Sequence, residues 1–100
     1  MTLSSFMNSL KGGMAPSGMD KLLQALWFDA KNNWEEAHSI VDSGVTVEEA
    51  WVHAYLHRKE GDVWNANYWY RRAGRAMPSI THKQEWETLV FYFLKAPEAV

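Results

Sequence analysis

The sequence predicts an all-α domain: five helices packed as antiparallel hairpins, the last one a C-terminal capping helix. Three observations carry this. Apolar residues recur at spacings of three and four along most of the chain. Helix start signals and glycine stops alternate at short intervals. No segment shows sustained apolar–polar alternation with β-branched residues, so no strand is expected.

Residues 1–17 are rich in Met, Ser and Gly. Leu3, Phe6, Met7 and Leu10 share one face of a short helix, but Gly12-Gly13 and then Pro16 interrupt it. This stretch reads as a flexible N-terminal arm, followed by a helical domain over 18–96 and a tail over 97–100. The first helix of the domain is expected after Ser17, with Asp20 completing the start signal. Leu22, Leu23, Leu26, Trp27 and Ala30 form its inner face, and Asn32-Asn33 end it.

Asn33 then caps the second helix, with Glu36 closing a capping box. Trp34, Ala37, Ile40 and Val41 point inward, and Gly44 is expected in the left-handed conformation that closes a helix. Thr46 and Glu49 repeat the box for the third helix, whose stripe is Val47, Ala50, Trp51, Ala54 and Tyr55. Gly61 ends it and Asp62 caps the fourth, with stripe Val63, Ala66, Trp69, Tyr70 and Ala73. Gly74 and Pro78 stop that helix. Thr81 and Gln84 start the fifth, which buries Trp86, Leu89, Val90, Phe93 and Leu94 and stops at Pro97. Connections of a few residues force neighbours to run antiparallel.

One hundred residues make one domain, and a chain this short needs an efficient core. Six Trp, four Tyr and four Phe supply apolar area, and the number of Trp leaves some for a surface. With no cysteine, disulfides, thiolate zinc sites and cysteine nucleophiles are excluded, which fits a reducing cytoplasm. No apolar run reaches the length of a membrane span. The N-terminus lacks a basic start and apolar run, so no secretory leader is expected. Net charge is −2, distributed as −4 over residues 1–50 and +2 over 51–100. That asymmetry permits unlike patches to associate, or the second half to bind an anion.

The stretch 51–75 holds most of the residues with chemical potential. Glu49, His53 and His57 stack at i, i+4 and i+8 on one helix face. A His-x-x-x-His pair can chelate zinc with a carboxylate as third ligand. The residue after His53 is Ala54, so the zincin pattern is not met, and a further ligand must come from afar, such as His38 or Asp62. No metal centre or other cofactor is therefore expected; packed histidines with ordinary hydrogen bonds account for the spacing. Arg58, Lys59, Arg71, Arg72 and Arg75 form a basic cluster around the third and fourth helices, suited to carboxylate or phosphate. The same arginines also complement a helix C-terminus or pair with Glu60, Asp62 or Glu85. The short basic area and net acidic chain argue against nucleic acid. Trp64 and Tyr68 share the side of the fourth helix opposite Trp69 and Tyr70, the composition of an interface hot spot.

Ala66, Tyr70, Ala73 and Pro78, with Gly61-Asp62 at the turn, resemble the second helix of a tetratricopeptide repeat. Trp27 or Phe28 and Ala37 give a shorter copy upstream. The resemblance spans roughly residues 18–95 and implies tetratricopeptide-like hairpins with the fifth helix as a cap. The run WVHAYLHRKEGD with NANYWYRRAG is also similar to a family of short bacterial proteins, which implies a compact helical domain and no particular activity.

No phosphate loop, nucleophile elbow or thiol is present, so catalysis is not expected. The sequence favours a non-catalytic protein–protein interaction or self-association module, its partner a protein or a second copy in a homodimer. The alternative is an anion or small-molecule site, with or without catalysis, drawn from His53, His57, Arg58, Asp62, Tyr68 and Arg71.

Overall fold

The structure, a computed structural model, describes residues 1–95. The expected stop at Pro97 and the tail lie outside the described residues. All elements are helical: α1 Leu3–Ser9, α2 Lys21–Ala30, α3 Trp34–Val41, α4 Val47–Glu60, α5 Val63–Arg72 and α6 His82–Lys95. The expected all-α class therefore holds, with six helices among the described residues rather than five.

The additional helix lies in the segment read as a flexible arm. Thr2 and Ser5 cap α1 reciprocally, each side chain accepting the other's backbone N–H. Phe6 is fully buried against Trp86 of α6. Trp27 Nε1 donates to Ser9 Oγ at 3.1 Å, and Lys31 Nζ donates to the carbonyls of Leu10 and Gly12. The glycines do break the helix, but the chain beyond α1 is tied to α2 by these bonds.

Asp20, not Ser17, is the N-cap of α2; its carboxylate accepts from the backbone of Leu22 and Leu23. Asn33 caps α3 through the backbone N–H of Glu36, without the reciprocal bond of a full box. The Thr46–Glu49 and Thr81–Gln84 boxes are both reciprocal. Gly61 takes the left-handed φ of 90° that ends α4, and Asp62 caps α5. Gly44 does not have positive φ. Its role is spatial: a Cβ there would lie 2.8 Å from Glu49 Cβ and collide with the carboxylate.

Helix α4 is the centre of the fold, packing against α2, α3, α5 and α6. That is why Glu49 through Leu56 are all buried, including Val52, His53 and Leu56 outside the expected stripe. A helix covered on nearly every side loses its amphipathic pattern. Val47 and Val63, expected inward, are exposed; each is the first residue of its helix. The α6 helix lies over α2 and α4, and Trp86 Nε1 donates to the Leu26 carbonyl at 2.9 Å.

Two buried acids are clamped to α4. Asp29 accepts from the Tyr55 hydroxyl at 2.6 Å and from Lys59 Nζ at 2.9 Å. Glu85 accepts from the Tyr70 hydroxyl at 2.7 Å and from Arg58 at 2.9 Å, while Arg58 also donates to the Ile80 carbonyl. Consecutive residues of α4 thus neutralise one acid on α2 and one on α6.

Candidate histidine cluster and aromatic face

Helix α3 runs past α4 so that His38 meets His53 and His57. His38 Nε2 and His53 Nε2 are 3.1 Å apart. One ring nitrogen from each of the three histidines lies within 4.8 Å of the other two. The sequence offered His38 only as one of two distant candidates to join this pair, since it stands one turn after Trp34 on a helix with little else to mark it. The local signal was its i+4 position from Trp34, whose ring stacks on the imidazole at 4.8 Å. Trp34 is fixed in turn by donating Nε1 to the Leu56 carbonyl at 2.8 Å.

On the opposite side Trp69 stacks on His53 with ring centroids 4.0 Å apart. His57 Nδ1 meets Glu60 Oε2 at 2.7 Å, and His38 Nε2 lies 3.8 Å from Asp42 Oδ1. His53 is buried, and its Nδ1 has no hydrogen-bond partner. Burial lowers the His53 pKa to about 4, with the neighbouring His38 and His57 adding to the shift. The ring is therefore neutral at pH 7.

Glu49, the carboxylate that the spacing joined to His53 and His57, is committed elsewhere. It bonds the Thr46 backbone at 3.1 Å and Lys21 Nζ at 2.7 Å. The hydrogen bonds from Lys21 and then Thr46 hold its pKa down at about 2. The helical period puts its Cβ on the histidine face, but its cap duty turns the carboxylate toward α2. Asp62 likewise serves as a cap, accepting from the Asn65 side chain at 2.7 Å and its backbone at 3.2 Å. Those two bonds, side chain first, lower its pKa.

The basic cluster does not converge on one pocket. Arg58 and Lys59 are taken up by Glu85 and Asp29. Burial, reinforced by these acids, pushes the Tyr55 and Tyr70 phenols above their usual range. Arg72 lies over Tyr68 and Trp69, and Arg75 sits 3.5 Å above the Trp51 ring. Arg71 is exposed. A cavity of about 330 Å³ is lined by Arg75, Trp51, Tyr70 and Glu85. Its wall contains both the Arg75 guanidinium and the Glu85 carboxylate, which is already paired with Arg58.

Exposed aromatic residues lie on α5 and on α6, where Phe91 and Tyr92 are exposed; the most exposed of them, Trp64, is on α5. Trp64 is 75% exposed, Val63 54% and Tyr68 37%. Among the described residues, α5 packs at close backbone range on α4 alone. A second apolar surface, which sequence reasoning missed, runs between α1 and α6: a groove of about 730 Å³ lined by Leu3, Met7, Ile80, Trp86 and Phe91. Its signal was the α1 stripe itself. Phe6 goes to the core, which leaves Leu3 and Met7 on the outer flank of the same short helix.

No family model matches the chain, and neither does any curated protein or solved structure. Among the described residues, no helix is long and apolar enough to cross a membrane.

Proposed function

We propose that this protein is a non-catalytic protein–protein interaction module, and that self-association is its simplest form. The observation that carries this reading is the outer face of α5, where Trp64 is three-quarters exposed beside Val63 and Tyr68. Single exposed apolar residues are ordinary; a Trp, a Tyr and a Val together on one helix are the composition of binding hot spots. Trp64 and Tyr68 are four apart and so share a face. Stacked helical hairpins bury such apolar faces against their neighbours, and among the described residues no helix but α4 packs on α5 at close backbone range. The tetratricopeptide resemblance of residues 47–80 supports the same reading, with a partner helix, or a second copy, taking the place of the next repeat.

The test is a Trp64→Ala/Tyr68→Ala double variant examined by sedimentation equilibrium and circular dichroism. The expected result is dimer affinity weakened by at least about 30-fold, the effect of losing about 2 kcal/mol at a hot spot, with helical signal unchanged. A wild-type chain that stays monomeric at high concentration overturns self-association. Loss of helicity in the variant would place these side chains in the core instead.

A further inference from the structure

We propose that His38, His53 and His57 form a binding site for one divalent transition-metal ion of the zinc, cobalt or nickel class. This does not depend on the interaction reading, since the cluster lies between α3 and α4 and the exposed Trp64 face is on α5.

The argument begins with distance. Zinc–nitrogen bonds of about 2.0–2.1 Å at tetrahedral angles place ligand nitrogens about 3.3 Å apart. His38 Nε2 and His53 Nε2 already stand 3.1 Å apart. The third imidazole offers a nitrogen within 4.8 Å of both, a gap closed by a small side-chain rotation. The second point is orientation. His57 Nδ1 is engaged by Glu60 at 2.7 Å, so Nδ1–H donates to the carboxylate and Nε2 keeps its lone pair for a metal. A carboxylate behind a ligating imidazole is the usual supporting arrangement. Trp34 and Trp69 hold the His38 and His53 rings by stacking.

The third point is that the cluster is poorly explained as hydrogen bonding alone. His53 is buried, its Nδ1 has no partner, and its Nε2 faces another imidazole. Buried polar side chains are ordinarily satisfied. The two Nε2 atoms that face each other converge as metal ligands do, while the unpartnered Nδ1 of His53 stays unpartnered with or without the ion. Three neutral imidazoles suit borderline cations rather than calcium or magnesium. The carboxylates of Asp42 and Glu60 offset the added positive charge nearby. His38 and His57 keep side-chain exposures of 23% and 12%, which leaves a route for water as a fourth ligand.

The experiment is a cobalt titration of the chelator-treated, dialysed full chain. It is followed by visible absorption and by melting temperature, then by displacement with zinc chloride. The expected result is one equivalent of Co²⁺, an intense tetrahedral-type band that zinc bleaches, and a higher melting temperature. His38→Gln should abolish the band and leave the metal-free melting temperature unchanged. If that variant is itself destabilised, His57→Gln is read in its place. Glu60→Gln should weaken binding about 10- to 100-fold, and His82→Gln, at the start of α6 and in neither group of potential ligands, should have no effect. The proposal fails if no band forms, or if the band survives His38→Gln. It also fails if Glu60→Gln and Asp62→Asn abolish binding while His38→Gln does not. That pattern would place the ion at His57, Glu60 and Asp62, the other group of potential ligands.

Discussion

The Tyr70 hydroxyl lies 2.7 Å from both carboxylate oxygens of Glu85, joining α5 to α6 inside the core. Arg58 supplies the opposing charge from α4 at 2.9 Å. A buried ion pair is weak support for stability as a whole, because desolvation offsets the attraction, yet removing one partner strands the other. Arg58→Met should therefore cost about 3–5 kcal/mol, whereas Tyr70→Phe should cost about 1.5–3 kcal/mol, the value of a hydrogen bond to a charged group. Urea unfolding of both variants checks this. A larger loss for Tyr70→Phe would mean that the tyrosine, not the arginine, holds the acid.

The second clamp makes the opposite ranking. Asp29 is buried like Glu85, but Lys59 approaches it with a side chain 36% exposed, while the Tyr55 hydroxyl is buried with it at 2.6 Å. Water reaches the lysine and screens its charge. Tyr55→Phe should thus destabilise by about 1.5–3 kcal/mol and Lys59→Met by about 1 kcal/mol or less. Thermal unfolding of the two variants side by side decides it; a larger loss for Lys59→Met would refute the ranking.

These clamps show where sequence reading stops. Helix existence was legible because caps and glycine stops are local: Thr46 with Glu49, Gly61 with Asp62 and Thr81 with Gln84 act within four residues. Partnership over distance was not. Nothing near Asp29 signals Tyr55, 26 residues away, and nothing in the local pattern chose His38 over Asp62 as the residue that meets His53, 15 residues away. The basic cluster was visible as composition, but whether Arg58 faces solvent or Glu85 depends on where α6 lies. Phe6 fell into a stretch whose glycines and serines argue for mobility, and only its contact with Trp86 places it in the core. The all-round burial of α4 was also hidden, since periodicity reports one covered face and not four neighbours.

Phe6 provides a direct check of that docking. Its side chain is fully buried against Trp86, with ring centroids 6.0 Å apart. Phe6→Ala should cost about 3–5 kcal/mol through lost transfer energy and the cavity left behind. Met14→Ala, 84% exposed in the same segment, should cost almost nothing. A neutral Phe6→Ala in a denaturant titration would return residues 1–17 to the status of an undocked arm.

Gly44 tests a different kind of constraint. Its backbone is not left-handed, so an alanine meets no conformational penalty, but the Cβ would be driven into Glu49. The substitution should therefore cost about 1–3 kcal/mol, as overpacking does. Glu49→Ala combined with Gly44→Ala should remove the collision with the carboxylate and recover part of the loss, the Cβ–Cβ approach of 2.8 Å remaining. Strict additivity of the two changes would show that they do not meet.

The same carboxylate sets an acid limit on the fold. Glu49 is held at a pKa of about 2 by Lys21 and Thr46, against an ordinary value of 4.5. The unfolded chain takes up its proton at higher pH than the folded chain does, so the contribution is complete above about pH 4.5 and disappears as pH falls toward 2. The full shift corresponds to about 3 kcal/mol, but the Lys21 ammonium is 55% exposed and solvent screening lowers the contribution to about 1 kcal/mol. Glu49→Gln should accordingly be less stable than the parent chain at pH 6, and the difference should narrow between pH 4.5 and 2. Unfolding curves for the pair across that interval provide the measurement, and a constant gap would assign the Glu49 contribution to packing and capping rather than to its charge.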